Sequence, residues 1–190
     1  MKKELIIIRG AQGSGKTSAA AVWASGDRNR WYETDQYWED RNGHYDFDET
    51  RLAIAHDWCF DMAEAAMENP EVERVVVSNT FATVRSIEPF VRAANRMKIP
   101  VRVICMCGKH KNTHDVPEEV VEKVRQKMEP YVGERISCSS MSDLRKFVEA
   151  HPKYKDAKIS CPESGDGFDE LPMVEQYGDE SIDVGGNSNS

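Results

Sequence analysis

Long apolar stretches are missing from this sequence of 190 residues. Its apolar runs, such as residues 5–8, are far shorter than the roughly 20 residues that a membrane-spanning helix needs. The start of the chain also lacks the apolar region that a secretory signal would have. We therefore expect no membrane partner and a cytoplasmic location.

Cysteines are few, and they do not follow a metal-binding pattern. There are five of them, and an odd number is not typical of a disulfide framework. Cys105 and Cys107 precede His110 and His114, but this spacing fits no zinc site, and both cysteines fall at the end of a predicted buried strand. We expect reduced thiols, as in a cytoplasmic protein, and no zinc.

A surplus of positive charge is absent as well. The net charge is −8, and residues 162–190 contain eight acids with no Lys or Arg. Taking those eight from the total of 33 acids leaves 25 acids against 25 bases in residues 1–161. A neutral body argues against tight, nonspecific binding to duplex nucleic acid.

The acidic C-terminal segment has the composition of a disordered tail. Residues 162–190 are rich in Gly and Ser and contain too few apolar side chains to offset the entropy of ordering. We therefore divide the chain into one domain, residues 1–161, and an acidic tail. The tail either increases solubility or binds an unidentified protein, and both interpretations stay open.

Predicted strands and helices alternate along the domain. The apolar patterns predict strands at residues 5–8, 31–34, 74–78, 101–105 and 135–137. They predict helices at residues 16–24, 49–68, 87–97, 117–128 and 140–150, with Asp46 or Asp48 capping the second helix and Ser86 capping the third. This alternation predicts a parallel sheet covered by helices on both faces.

The residues between the first strand and the first helix match the phosphate-binding P-loop pattern G-x-x-x-x-G-K-[ST]. Its glycines allow a tight turn whose N–H groups cradle phosphates at the start of a helix. Lys16 is expected to reach the β- and γ-phosphates, and the Thr17 hydroxyl to bind Mg²⁺. The predicted ATP-binding residues are Gly10, Gln12, Gly13, Ser14, Gly15, Lys16, Thr17 and Ser18.

No acid follows the strand at residues 74–78, where motors and switches of this class carry one. That strand ends in Ser78, Asn79 and Thr80. Asp35 instead follows the second strand, where a carboxylate can accept the proton of an attacking hydroxyl. Asp35 is also compatible with a helix cap, and Glu33 is a competing carboxylate.

Several further short motifs occur in a fixed order along the chain. They are Thr34-Asp35-Gln-Tyr37, Tyr45-Asp-Phe47, Ala55-His56-Asp-Trp58-Cys59, Ser78-Asn79-Thr80-Phe81 and His114-Asp-Val116-Pro117. With these, residues 4–131 resemble the small P-loop kinase family that includes the kinase domain of bacteriophage polynucleotide 5′-kinase. The resemblance implies a three-layer P-loop NTPase fold, similar to nucleoside-phosphate kinases, with Asp35 as general base.

The resemblance also assigns the remaining site residues. It places Asn79 and Thr80 beside the acceptor, although relatives often have Asp at the position of Ser78. It places a lid at about residues 108–116, where relatives supply arginines and this chain has lysines, with Lys111 as the best catalytic candidate. Lys123 and Arg125 on the next helix are weaker candidates.

Aromatic residues beyond Asp35 leave two interpretations open. Tyr37, Trp38, Tyr45 and Phe47 either stack a base of a single-stranded substrate or pack against the following helix. Tyr45 is accordingly included among the expected substrate-binding residues. His56 is expected to be a hydrogen-bonded core histidine and not a catalytic one.

The sequence thus predicts an enzyme that transfers the γ-phosphate of ATP-Mg²⁺ to a hydroxyl acceptor. The expected acceptor is the 5′-hydroxyl of a DNA or RNA end. One alternative is the same mechanism on a nucleoside or sugar. The other is an ATP-binding interaction module with little turnover.

Overall fold

Six strands form one parallel sheet in the computed structural model, which describes residues 3–110, 116–138 and 140–160. The strands are β1 (Glu4–Arg9), β2 (Asn29–Tyr32), β3 (Arg74–Asn79), β4 (Val101–Met106), β5 (Arg135–Ser137) and β6 (Lys158–Ser160). Their order across the sheet is β2-β3-β1-β4-β5-β6, and every neighbouring pair is parallel. In register, Leu5 of β1 lies between Val75 and Val101.

The connections between these strands contain α-helices and short 3₁₀ segments. The α-helices are α1 (Lys16–Trp23), α2 (Leu52–Glu68), α3 (Val84–Arg96), α4 (Glu118–Lys127) and α5 (Met141–Ala150). The 3₁₀ segments are Thr34–Trp38, Glu49–Arg51 and Pro152–Tyr154. Among the described residues, no helix is both long enough and apolar enough to cross a bilayer.

Apolar side chains cover both faces of the sheet, which explains why the central strands are continuously apolar. Leu5 and Ile7 of β1 belong to a core cluster with α2 and α3, whereas Ile6 and Ile8 pack with Ala20 and Trp23 of α1. Both faces of β1 are therefore buried, and the strand holds the start of the following loop at the centre of the molecule. The predicted three-layer α/β fold is confirmed.

Several element boundaries differ from the prediction. The second strand ends at Tyr32, because Glu33 caps the 3₁₀ segment Thr34–Trp38 through a reciprocal capping box with Gln36. The predicted cap Ser86 was wrong: α3 begins three residues earlier than predicted, and the side chain of Thr83 caps it. The strand β6 was not predicted, and residues 162–190 lie outside the described residues.

The expectation that all thiols are reduced was also wrong. Cys107 and Cys138 form a disulfide, because they follow the neighbouring parallel strands β4 and β5 and their Cα atoms lie 5.1 Å apart. Cys59 and Cys105 are buried free thiols, and burial raises their pKa values to about 11 and about 12. Cys161 lies outside the described residues.

Candidate active site

A cavity of about 1190 Å³ opens at the carboxyl ends of β1, β2 and β3. Ligands of open parallel sheets bind at this edge, where crossover connections leave in opposite directions. Three segments at the carboxyl ends of β1, β2 and β3 line the cavity, namely residues 12–18, 33–35 and 78–83. The side chains of Phe60 and Phe90 add an apolar wall from α2 and α3.

The loop from β1 to α1 has the geometry of a phosphate cradle. Gly10, Gly13 and Gly15 all have positive φ angles, of 149°, 70° and 93°. A Cβ atom on Gly10 would lie 2.5 Å from the carbonyl oxygen of Met106, so the turn requires glycine there. Of the predicted ATP-binding residues, Gln12, Gly13, Ser14, Gly15, Lys16, Thr17 and Ser18 line the cavity, and Gly10 lies at the base of the loop.

Lys16 lies at the junction between this loop and the acidic side of the cavity. Its Nζ atom donates a hydrogen bond to the carbonyl oxygen of Ala11 at 2.9 Å. Burial lowers the pKa of Lys16 to about 8, although the carboxylates of Glu33 and Asp35 act in the opposite direction. Lys16 is therefore close enough to both carboxylates for their charges to affect its proton.

Asp35 lies in the first turn of the 3₁₀ segment Thr34–Trp38, at the border of the cavity. The hydroxyl of Tyr45 donates a hydrogen bond to Asp35 Oδ1 at 3.4 Å. Partial burial, together with this negative neighbour, raises the pKa of Tyr45. The structure thus brings together Asp35, Tyr45 and Lys16, three residues that the sequence placed in the site.

Glu33 lies on the other side of the same turn and has a different set of partners. The hydroxyl of Ser78 donates to Glu33 Oε2 at 2.9 Å, and Trp31 Nε1 donates to the Ser78 hydroxyl oxygen at 3.0 Å. The sequence showed Glu33 only as a competitor of Asp35. Its contact with Ser78 depends on strand order, which places β2 next to β3 and which no local pattern reveals.

Asn79 positions the turn that carries both carboxylates. Its Oδ1 atom accepts the backbone N–H of Thr34 at 2.8 Å, and its Nδ2 atom donates to Cys59 Sγ at 3.5 Å. Thr34 Oγ1 lies 3.2 Å from Nδ1 of His56, so His56 has the hydrogen bond expected of it. Its expected place in the core was wrong, because His56 is exposed and lines the cavity. Asn79 and Thr80 both line the cavity. Their contact with the acceptor stays a prediction.

The aromatic residues beyond Asp35 divide into two groups. Trp38 is buried and contacts Tyr37 and Phe47 edge-on, with ring centroids 4.9 Å and 5.2 Å away. Tyr45 and Phe47 also line the cavity, and they remain 43% and 51% exposed. Packing therefore accounts for Trp38, whereas Tyr45 and Phe47 present aromatic surface at the opening of the cavity.

The residues around the expected lid are only partly described. Lys111 and His114 lie outside the described residues. His110, which falls within the expected lid at residues 108–116, lines the cavity and donates its backbone N–H to the carbonyl oxygen of Gly13 at 2.8 Å. Arg125 is buried and donates to Glu118, Glu122 and the carbonyl oxygen of Gly108. Arg125 therefore has a structural role, holding α4 against the start of this segment.

The residues of the cavity fit ATP with a magnesium ion. The described residues hold no group of three His, Cys, Asp or Glu side chains around a common centre. Mg²⁺ does not need such a cage, because it binds through one or two protein oxygens together with substrate phosphates and water. Thr17 and the carboxylates of Glu33 and Asp35 supply that kind of oxygen in the same cavity.

Comparison with known proteins identifies the family. The family model AAA_33, described as an AAA domain, matches residues 5–131. This range agrees with the extent of the resemblance, residues 4–131, which is thereby confirmed. NEDD4-binding protein 2 of Homo sapiens is 27% identical over 146 residues, which cover 72% of this chain and 8% of that protein. The chain therefore corresponds to a small part of that relative.

Solved structures with a similar fold include one protein complex and two kinases. The Pnkp1/Rnl/Hen1 complex has a TM-score of 0.46 at 19% identity, covering 64% of this chain and 38% of that one. The APS kinase CysC of Mycobacterium tuberculosis, bound to AMPPNP and APS, has a TM-score of 0.48 at 11% identity, and the match covers 82% of this chain and 99% of that one. A gluconokinase from Sinorhizobium meliloti has a TM-score of 0.49 at 13% identity, and the match covers 80% of this chain and 91% of that one.

Proposed function

Because the chain belongs to the AAA_33 family and has the P-loop kinase fold, we propose that it transfers the γ-phosphate of ATP to a hydroxyl acceptor. The observation that carries this proposal is the meeting of a phosphate cradle, Lys16 and Asp35 in one cavity. The cradle binds the donor, and the carboxylate lies on the side from which an acceptor would enter. A protein that only binds ATP does not need a carboxylate on the acceptor side.

The P-loop and Lys16 bind and orient the triphosphate in this proposal. N–H groups of the loop and of the first turn of α1 would donate to phosphate oxygens at the N-terminus of this helix, where the helix dipole favours negative charge. Lys16 exchanges its bond to Ala11 for the β- and γ-phosphates. A magnesium ion at Thr17 would neutralise charge that develops on the transferred phosphoryl group.

Asp35 is the proposed general base. The hydroxyl of Tyr45 fixes one of its oxygens, which orients the carboxylate toward the cavity. A base must lie within hydrogen-bond reach of the hydroxyl whose proton it accepts, directly or through one water. Asp35 accepts the proton as the acceptor oxygen bonds to the γ-phosphorus, and ADP leaves with the bridging oxygen.

The proposed acceptor is the 5′-hydroxyl of a DNA or RNA end. The half-exposed rings of Tyr45 and Phe47 support this choice, because they offer stacking surface to a terminal base beside Asp35. Lys111 is the proposed lid cation for this reaction. The cytoplasmic location stays a prediction.

A small hydroxyl compound is the second candidate acceptor. Phe60, Phe81 and Phe90 form an edge-to-face cluster, with centroid distances of 5.3 Å and 5.4 Å, that lines the same cavity. The hydroxyls of Thr83 and Ser86 lie along this wall. An apolar wall with hydroxyl groups suits a nucleoside bound inside the cavity as well as a strand end at its opening.

Transfer of label from [γ-³²P]ATP tests the proposal. The protein is incubated with a single-stranded 5′-hydroxyl oligonucleotide, its 5′-phosphorylated counterpart and a panel of nucleosides and sugars. We expect label on the 5′-hydroxyl oligonucleotide alone. Label on nucleosides alone would select the second candidate, and label on no acceptor would reject both kinase proposals.

A further inference from the structure

Near its carboxyl end, the strand β3 has a hydroxyl where P-loop proteins that use an acid at this place have a carboxylate. Ser78, the residue at that position, is buried, and its hydroxyl both accepts and donates a hydrogen bond. Its hydroxyl accepts a hydrogen bond from Trp31 Nε1 and donates its own proton to Glu33 Oε2. The polarity of this chain of bonds is fixed, because an indole can only donate and a carboxylate can only accept.

Glu33 comes from the neighbouring strand and not from β3 itself. Tyr32, the last residue of β2, pairs with Val77, so Glu33 leaves β2 beside Ser78, the second-last residue of β3. The serine hydroxyl therefore holds a carboxylate beside the carboxyl end of β3. The negative charge that β3 lacks at Ser78 is thus supplied by Glu33, the residue that follows β2.

This carboxylate faces the phosphate end of the cavity. Glu33 lines the cavity together with Lys16 and Thr17. Asp35 is hydrogen-bonded to Tyr45 on the side that opens to solvent.

An independent feature of the cavity points to a ligand at this end. Ser14 is 1% exposed and lines the cavity, and its Oγ atom has no hydrogen-bond partner among the described residues. A buried hydroxyl without a partner costs free energy in a folded protein, on the order of 1–3 kcal/mol. A triphosphate in the cradle would supply acceptors for it.

We propose that Glu33 is the carboxylate that holds the magnesium ion of ATP-Mg²⁺ next to Thr17, directly or through a bound water, and that Ser78 and Trp31 orient it. The two acids of the turn then have different roles, since Glu33 holds the magnesium ion and Asp35 accepts the proton of the acceptor hydroxyl. The inference rests on the nucleotide-binding half of the proposed function and is independent of the acceptor.

Calorimetric titration of ATP with and without Mg²⁺ tests the inference without any turnover. The quantity of interest is the gain in ATP affinity that Mg²⁺ confers. We expect Glu33→Gln to reduce this gain by at least about tenfold, the usual effect of removing a group that supports a metal. Metal-free ATP should bind the variant at least as tightly as it binds the wild type, because a negative charge near the triphosphate is removed.

Two further variants test the arrangement of the carboxylate. Ser78→Asp in the Glu33→Gln background places an acid back at the end of β3, and we expect it to restore the magnesium-dependent gain. Ser78→Ala alone keeps Glu33 but removes the bond that orients it, so a smaller loss of a few fold is expected. Thermal melting of each variant shows whether it is folded.

The inference is overturned if Glu33→Gln keeps the full magnesium-dependent gain, or if its ATP affinity falls equally with and without the metal. A folded Glu33→Gln/Ser78→Asp protein with no restored gain would also overturn it. Asp61→Asn, which removes an exposed acid on α2 away from the cavity, is the matched control, with the gain expected to be unchanged. Absence of acceptor labelling by the wild type would reject the kinase proposal while leaving this metal result intact.

Discussion

Lys16 connects the electrostatics of the phosphate cradle to nucleotide binding. Burial lowers its pKa to about 8, so its side chain is charged below pH 8 and neutral well above it before ATP binds. A triphosphate at hydrogen-bond distance favours the charged form and raises that pKa again. Binding above pH 8 must therefore include the uptake of a proton by this one residue.

We predict that ATP affinity is nearly constant from pH 7 to 7.5 and falls as the pH rises from 8 to 9.5. The fall approaches about tenfold per pH unit, the slope for one linked proton. Calorimetry at pH 9 in two buffers with different ionisation enthalpies counts the protons taken up directly. Zero uptake at pH 9 would show that Lys16 is already charged in the free cradle.

At the scale of single elements, the caps decide where the segments around the cavity begin. Thr83 accepts the N–H of Ser86 and so begins α3 directly after the loop that carries Asn79 and Thr80. Ser86 donates its hydroxyl to the carbonyl oxygen of Thr83 and does not cap the helix. Thr83 was not recognised as the cap because Ser, like Thr, is a common N-cap residue and the apolar pattern becomes clear only at Ile87.

We predict that Thr83→Ala lowers the free energy of unfolding by about 1 kcal/mol, the usual cost of losing an N-cap side chain. Ser86→Ala serves as the matched control and should cost less than half as much. Urea unfolding followed by circular dichroism measures both. A larger effect of Ser86→Ala would restore Ser86 as the cap.

The disulfide between Cys107 and Cys138 joins the ends of β4 and β5. It closes a loop over 31 positions of sequence, which includes the expected lid and α4. A cross-link of that length restricts the unfolded chain and contributes roughly 3–4 kcal/mol by the loop-entropy relation. It also fixes the residue from which the segment leading to Gly108 and His110 leaves the sheet.

We therefore expect Cys107→Ser/Cys138→Ser to lower the free energy of unfolding by about 3 kcal/mol under non-reducing conditions. With a reductant present, the wild type and the variant should differ by much less. Denaturant unfolding with and without dithiothreitol measures this difference, and thiol titration of the unfolded protein counts the free cysteines. Five titratable thiols in the untreated wild type would contradict the bond.

At the scale of the whole molecule, a buried ion pair joins β1 to the loop before β5. Arg9 is fully buried, and its Nη1 atom lies 3.3 Å from Glu134 Oε2 and 2.8 Å from the carbonyl oxygen of Glu129. Burial raises the pKa of Glu134 even though Arg9 acts in the opposite direction. Breaking such a pair leaves one buried charge uncompensated, which is more costly than never having had the pair.

We predict that Glu134→Gln lowers the free energy of unfolding by about 3 kcal/mol, with much of that loss recovered when Arg9→Met is added. The exposed pair Arg92 and Glu88 on α3 is the control, since an exposed i, i+4 pair contributes about 0.5 kcal/mol or less. Double-mutant cycles by urea unfolding compare the two couplings. Equal couplings would show that burial does not strengthen the first pair.

The sequence predicted the layers of the fold and the phosphate cradle because both depend on patterns within short stretches of the chain. Apolar runs such as residues 5–8 and the spacing from Gly10 to Thr17 need no knowledge of distant contacts. The disulfide and the contact between Ser78 and Glu33 depend on which strands become neighbours. Strand order is a property of the whole sheet, and no local spacing in the chain encodes it.

The most direct test of the account compares Asp35→Asn with the wild type in transfer of phosphate to a 5′-hydroxyl oligonucleotide, with ATP affinity measured in parallel. Asp61→Asn, an exposed acid on α2, is the matched control. The account predicts that Asp35→Asn reduces turnover by at least ~10² while ATP affinity changes little. Retained turnover, or a loss of ATP binding that accounts for the whole effect, would contradict the role of Asp35 as general base.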